Sequence, residues 1–340
     1  MGIRDSFFFY SGAGHPDDAA TLFQLVNHFF RDPGFSEKAL SLAKIRYRQQ
    51  YEKSERTLDG KMKIDGDRFL AGNDPRFGIP APETLDQYTL EDVKNWILPH
   101  ISQAPIEISI VGDIDTDVMT QLAARYLGSL GRREPFARQP ERMGPVRFPY
   151  GEKRILTVDT KIESAIVRVA FLTDDFWDIA QTRQLSLLAQ VLSERVRKKI
   201  REELGESYSP YVYNHPSSIF KGYGVMHMVV KIQPGSQDIV FEKLKAIVDS
   251  VLSSGITEKE TRFALNPVLT HLKTLRESNR YWLNSVMVNS SVYPEKFDWA
   301  RSLLSGYQQI DRKDLVRLAK KYLVWKKHAG IVIVPKDQSN

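Results

Sequence analysis

The stretch Gly34-Phe35-Ser36-Glu37-Lys38 reappears as Gly255-Ile256-Thr257-Glu258-Lys259, an offset of 221 positions (255 − 34). The likeness extends on both sides. Phe23, Val26 and Phe30 precede the first motif as Leu244, Ile247 and Val251 precede the second, and Leu42 and Ala43 follow it as Phe263 and Ala264 do. Further on, Leu90-Glu91-Asp92-Val93 matches Arg312-Lys313-Asp314-Leu315, and residues 108–111 match 331–334. A repeat of this length means duplicated domains rather than a solenoid. Residues 131–150, with Arg132, Arg133, Pro135, Pro140, Pro145 and Pro149, form the linker and divide the chain into domains 1–140 and 141–340. In the second copy residues 150–221 precede the common part, and the first copy has no counterpart to them. The first domain is therefore expected to be truncated at its amino end, lacking its first strands and one long helix. Asp5-Ser6-Phe7-Phe8-Phe9-Tyr10-Ser11 already reads as a strand under way.

Hydrophobic periodicity places helices and strands in both copies, which predicts an α+β class. In the first copy it predicts a strand at 7–10, helices near 16–30, 37–54, 90–100 and 116–130, and a strand at 106–111 ending in Gly112-Asp113. In the second it predicts strands at 154–159, 164–172, 208–213, 223–232 and 329–334. The helices there are 180–204, 237–253, one opened by the capping box Thr257-Glu258-Lys259-Glu260, 295–305 and 312–322. Pro267 is expected to kink the helix it sits in.

Lys and Arg number 48 against 42 Asp and Glu, an excess too mild to mark a nucleic-acid surface. The densest basic run, 195–201, is followed at once by Glu202 and Glu203 and reads as a solvated helix face. Cysteine is absent, which excludes disulfides, thiolate nucleophiles and Cys-bound metals but leaves the compartment open. No apolar run reaches membrane-spanning length. There is no G-x-S-x-G elbow, phosphate-binding glycine loop or dinucleotide fingerprint.

Leu185, Leu188, Val191, Leu192, Val196 and Ile200 form the buried stripe of one helix that runs into Arg201-Glu202-Glu203-Leu204-Gly205-Glu206-Ser207-Tyr208. Gly205 supplies the stop and Tyr208 begins an extended segment, so a guanidinium and a phenol could be presented side by side. Both are donors at neutral pH, suited to carbonyl oxygens or a developing oxyanion. The competing reading pairs Arg201 with Glu202, Glu203 or Glu206 on a wet surface and makes Tyr208 packing.

The order of these motifs resembles the carboxy-terminal half of the pitrilysin/insulinase (M16) family of zinc metallopeptidases. The resemblance rests on Asn73-Asp74-Pro75-Arg76-Phe77, residues 108–115 (ISIVGDID), 201–208, 255–259 and Asn279-Arg280-Tyr281-Trp282. It implies two related α+β domains, each an antiparallel sheet with helices packed on one face. It also implies the non-catalytic half of an endopeptidase, inactive alone and closing a peptide-binding chamber. Zinc would be held by an H-x-x-E-H helix in an amino-terminal partner half, of the same or a neighbouring chain, and the substrates would be unfolded peptides. Carried onto this chain, the resemblance gives Arg201 a substrate backbone carbonyl to bind. It makes Tyr208 a donor to the scissile carbonyl as the tetrahedral intermediate forms.

The chain departs from a zincin in its histidines. His15, His28, His100, His215, His227, His271 and His328 never stand in H-x-x-E-H or H-E-x-x-H spacing, so no metal is expected in this chain. The alternative is a catalytically dead scaffold, a subunit of a larger complex. Apolar faces around Phe7, Phe9 and Leu25 would be covered by a partner or by self-association.

Overall fold

The computed structural model describes residues 2–4, 6–138, 143–204 and 210–336. The chain folds into two compact units, each assembled from three stretches. The first comprises Met1–Arg46, Glu83–Pro140 and Lys273–Arg301, and the second Tyr47–Pro82, Glu141–Leu272 and Ser302–Asn340. A segment of each sequence copy thus belongs to the unit built mainly from the other.

In chain order the first copy gives β1 (Gly2–Arg4), β2 (Phe7–Phe9), α1 (Ala19–Arg31) and α2 (Glu37–Glu55). Then come α3 (Leu58–Lys61), a π-helical turn (Met62–Gly66) and α4 (Asp67–Leu70). It closes with α5 (Pro82–Asp86), α6 (Leu90–Gln103) and α7 (Thr116–Leu127). The second copy gives β3 (Lys153–Val158), β4 (Ala165–Thr173), α8 (Ile179–Leu204), β5 (Tyr211–Pro216) and β6 (Gly224–Ile232). These are followed by α9 (Gln237–Ser254), α10 (Glu258–Arg276), α11 (Asn279–Tyr281) and a second π-helical turn (Trp282–Met287). Last are α12 (Glu295–Arg301), α13 (Leu303–Gln308), α14 (Arg312–Tyr322) and β7 (Ala329–Pro335). Pro267 lies inside a continuous α10. No helix among the described residues is long and apolar enough to cross a membrane.

The repeat survives as geometry. Helices α2 and α10 are both 19 residues long and begin 221 positions apart (258 − 37). Each is followed by a short helix and a π-helical turn, at Met62–Gly66 and Trp282–Met287. Capping boxes open both α6 and α14, through Thr89 with Asp92 and Asp311 with Asp314.

The second unit is built on a five-stranded sheet in the order β3-β7-β4-β6-β5, antiparallel except for the β3–β7 pair. The central strand β4 is buried along nearly its whole length, which requires cover on both faces. On one face Val167, Val169, Phe171, Met228 and Val332 pack with the apolar stripes of α8, α9 and α14. On the other, Ile166, Ala170, Val229, Ile331 and Ile333 pack against Leu58, Met62, Phe69 and Leu70. Gly66 permits that approach, since a Cβ there would stand 2.5 Å from Met62 Sδ and 3.4 Å from Ile331 Cδ1. The π-helical turn inserts one residue and resets the helical phase, so that Met62, Ile64, Phe69 and Leu70 are all buried.

In the first unit β1 and β2 pair with each other, Gly2 opposite Phe9 and Arg4 opposite Phe7. Helix α1 packs on α7, with Phe23 stacked on Tyr126 and Gln24 donating to the Tyr126 hydroxyl at 2.9 Å. The segment 273–301 is tied into this unit where the Ser291 N–H donates to Glu107 at 2.7 Å. Arg138 also grips Glu295 through both carboxylate oxygens at 2.7 and 2.8 Å. The expected strand at 106–111 is not one: those residues belong to no ladder among the described residues. Their counterpart β7 is paired by β3 and β4, and the first unit holds no counterpart of either among its described residues. Alternation favours a strand, but hydrogen-bonding partners make one.

Candidate functional site

Helix α8 delivers Arg201. Leu185, Leu188, Leu192, Val196 and Ile200 are all buried, and the next residue, Arg201, is exposed on the terminal turn. The helix is fixed along its length. Asp178 accepts from the Gln181 N–H at 3.0 Å near its start, and Thr182 donates to the Phe176 carbonyl at 3.1 Å. Ser193 Oγ accepts from the Val212 N–H at 3.3 Å, tying the helix to β5. Near the far end Arg195 donates to Glu260 at 2.6 and 3.0 Å and to the Gly255 carbonyl at 2.7 Å. Arg197 pairs with Glu194 on the same helix. The basic run is therefore partly engaged in holding the helix, and Arg201 is its solvent-facing end. Tyr208 lies outside the described residues.

Beyond Pro210 the chain enters β5, antiparallel to β6, which places Tyr213 opposite His227. Here a polar cluster that the sequence reading missed sits on the sheet face covered by residues 58–70. Arg168 on β4 donates to Asp67 on α4 at 3.0 Å. The ring of Tyr213 stacks on His227 at 4.6 Å, and Tyr211 stacks on Tyr213 at 5.8 Å. His227 Nδ1 and Arg168 Nε are buried without a partner among the described residues. Burial holds the His227 imidazole well below its ordinary range, with the charge of Arg168 acting in the same direction. Burial raises the Asp67 carboxyl, against the opposing pull of Arg168, and raises the Tyr213 phenol. Charged residues facing one another across a sheet and a helix form a polar lock between them. A charge at the middle of the apolar strand β4, matched by Asp67 one position after a glycine, was its one sequence signal.

Zinc does not fit these residues. His215 is exposed on β5 and His227 is buried on the neighbouring β6, and no third donor joins them among the described residues. Among the described residues no group of three His, Asp or Glu side chains could hold a metal ion.

Two copies of one helix order, one carrying a five-stranded antiparallel-rich sheet, define a duplicated α+β protein. Residues 87–267 match the family model described as the peptidase M16 inactive domain, and the chain belongs to this family. Among curated relatives it is 22% identical to the chloroplastic stromal processing peptidase of Pisum sativum, over 86% of this chain and 27% of the relative. It is 21% identical to an uncharacterized zinc protease of Rickettsia felis, over 72% of this chain and 57% of the relative. The chain thus spans about a quarter of the length of the plant relative. Among solved structures, the peptidase M16 inactive domain from Pseudomonas fluorescens superposes with a TM-score of 0.76 at 16% identity, covering 95% of this chain and 76% of that one. The Escherichia coli periplasmic protease PqqL gives 0.73 at 18% identity, covering 94% of this chain and 35% of that one. At these identities the structures speak for the fold.

Proposed function

We propose that this chain is the non-catalytic half of an M16-type zinc endopeptidase and works with a zinc-bearing half. The zinc half would carry the metal and its activated water. This chain would close the peptide-binding chamber and offer Arg201 and Tyr208 to an unfolded peptide. Domains 1–140 and 141–340 would be its two duplicated parts. The reading is carried by the membership of the inactive-domain family together with the exposed Arg201 at the end of the buried stripe of α8.

In this role Arg201 holds a substrate backbone carbonyl by charge-assisted hydrogen bonding, which orients the chain without reading its side chains. Tyr208 donates to the scissile carbonyl oxygen and gains strength as that oxygen becomes an oxyanion. Such a donor raises turnover more than binding. Relatives named processing peptidases and proteases support polypeptide substrates.

The test is cleavage of a quenched fluorescent peptide by this chain alone, by the zinc-bearing half alone and by both. Cleavage that needs both halves and is abolished by a chelator is expected. Robust chelator-sensitive cleavage by this chain alone overturns the division of labour. Tight pairing of the halves with no cleavage, unaffected at Arg201, would make the chain a scaffold.

A further inference from the structure

Residues 312–327, helix α14 and the turn after it, contain seven Lys and Arg against a single acid, Asp314. The rest of the chain is neutral, with 41 residues of each sign (48 − 7 and 42 − 1). The whole net charge of +6 is thus gathered on one segment of the second unit. All seven basic residues are exposed. Arg312 pairs with Glu258 at 3.2 Å, Arg317 with Asp314 at 3.4 Å and Lys321 with Asp174 at 3.3 Å. Lys313, Lys320, Lys326 and Lys327 have no acidic partner among the described residues. Arg312, Lys313, Arg317 and Lys320 converge on one open cleft of about 400 Å3 on the outer side of the helix. Lys313 and Lys320 are about 10 Å apart along its axis, roughly one Debye length at about 0.1 M salt, so they act on a facing surface as one patch. The fold does not require this charge. Helix α6, opened by a like capping box at the matched place in the first copy, holds one Lys and two acids.

We propose that α14 and the turn 323–328 form a docking surface for an anionic lipid bilayer, held at the level of the headgroups by charge and without insertion. Leu315, Leu318 and Ala319 on the apolar side of α14, and Leu323 after it, are buried in the core of the unit and do not turn outward to lipid. The same burial leaves no apolar centre for a dry protein interface, from which lysine is depleted. Both guanidinium forks already hold carboxylates, which removes the bidentate grip that singles out an individual phosphate or carboxylate. Tyr322 and Trp325 are packed against the core, so no ring stands among the lysines for a nucleic-acid base to stack on. What remains is four exposed ammonium groups, suited to a diffuse field of negative headgroups. Such binding is screened by salt. It would hold the chain against a membrane without a spanning helix, and it does not depend on the role proposed for Arg201 and Tyr208.

Flotation of the full chain with lipid vesicles tests it. Vesicles of equal parts phosphatidylglycerol and phosphatidylcholine should carry the chain at about 0.05 M salt and release it at about 0.5 M, whereas vesicles of phosphatidylcholine alone should not bind it. Changing Lys313, Lys320, Lys326 and Lys327 together to Gln should weaken binding at least about tenfold and leave thermal melting unchanged, since all four are exposed. A second variant with Lys38, Lys53, Lys231 and Lys273 changed to Gln loses the same charge from other exposed positions and should bind as the wild type does. No binding to the anionic vesicles, binding that survives the higher salt, or an equal loss in both variants overturns the inference. Preference for duplex DNA or for polyglutamate over the anionic vesicles at the same salt gives the patch to another partner and overturns it as well.

Discussion

Arg195 donates from Nε to Glu260 at 2.6 Å and from Nη2 to the Gly255 carbonyl at 2.7 Å, so the capped start of α10 clamps α8 just ahead of Arg201. Glu260 also accepts from the Thr257 N–H at 2.9 Å, which makes one carboxylate both a helix cap and a tie between helices. The Arg195 hydrogen bond holds its carboxyl down at about 2. A carboxylate so depressed contributes stability that is fully present above its ordinary value of 4.5 and lost as pH falls through about 2. Glu260→Gln should cost about 1–2 kcal/mol at neutral pH, a charge-assisted bond discounted for partial exposure. Urea melts at pH 7 and pH 3 provide the check. The gap between wild type and variant should narrow at the lower pH, and an equal gap at both would mean that the charge is not the source.

In the paired enzyme, Tyr208→Phe should lower kcat on the order of 10²-fold with little change in KM, as removal of one oxyanion donor does elsewhere. Arg201→Ala should act mainly on KM, since a grip on a distant carbonyl serves ground and transition states alike. Steady-state kinetics on one peptide separate the two. A Tyr208→Phe variant with full turnover removes the phenol from the reaction.

Much of this architecture was legible because the copies share spacing. The capping box of Thr257 and Glu260 at the start of α10 and the strands β4, β6 and β7 follow from local pattern alone. Residues 58–70 escaped for a physical reason. Gly60, Gly66 and six charged residues leave the stretch weakly patterned, and the π-helical insertion breaks the period that would mark Met62, Ile64, Phe69 and Leu70 as one face. The offset of 221 was the available clue, because it maps Leu58 onto Asn279, where the second short helix begins. Residues 106–111 failed in the opposite sense. Their alternation is genuine, but a strand is a property of a pair. Arg201 was readable as the end of a buried stripe, whereas Asp67 and Arg168, 101 positions apart, meet only after the sheet has formed.

The Asp67–Arg168 contact at 3.0 Å should hold α4 on the sheet. Asp67→Asn leaves a buried guanidinium with a weaker acceptor. Because Asp67 is half-exposed, the cost should fall below that of breaking a fully buried pair, at about 2 kcal/mol. Its effect should be local as well, speeding exchange of amides 58–70 before those of β4 and β6. Uniform acceleration across the sheet would show that the contact secures the whole unit instead.

His227 should make the second unit acid-sensitive. It is fully buried between Tyr213, which stacks on it, and the strand that carries Arg168. Burial first, and then the charges of Arg168 and His215, hold it neutral. The unfolded chain takes up a proton near the ordinary value of 6.5, and the folded chain does so only far lower. Stability is therefore complete above 6.5 and declines as pH falls below it, at up to about 1.4 kcal/mol per pH unit. Burial also raises the carboxyl of Asp67 in the same cluster, so the comparison with His227→Phe is repeated in an Asp67→Asn background to separate the two groups. His227→Phe keeps the ring stacked on Tyr213 and removes Nδ1, which has no partner among the described residues, so the fold has little to lose. Urea midpoints of the wild type should fall between pH 7.5 and 5.5, whereas those of His227→Phe should stay level. A variant that retains the full slope would transfer the effect to another histidine of the chain, with His215 on β5 the first to examine.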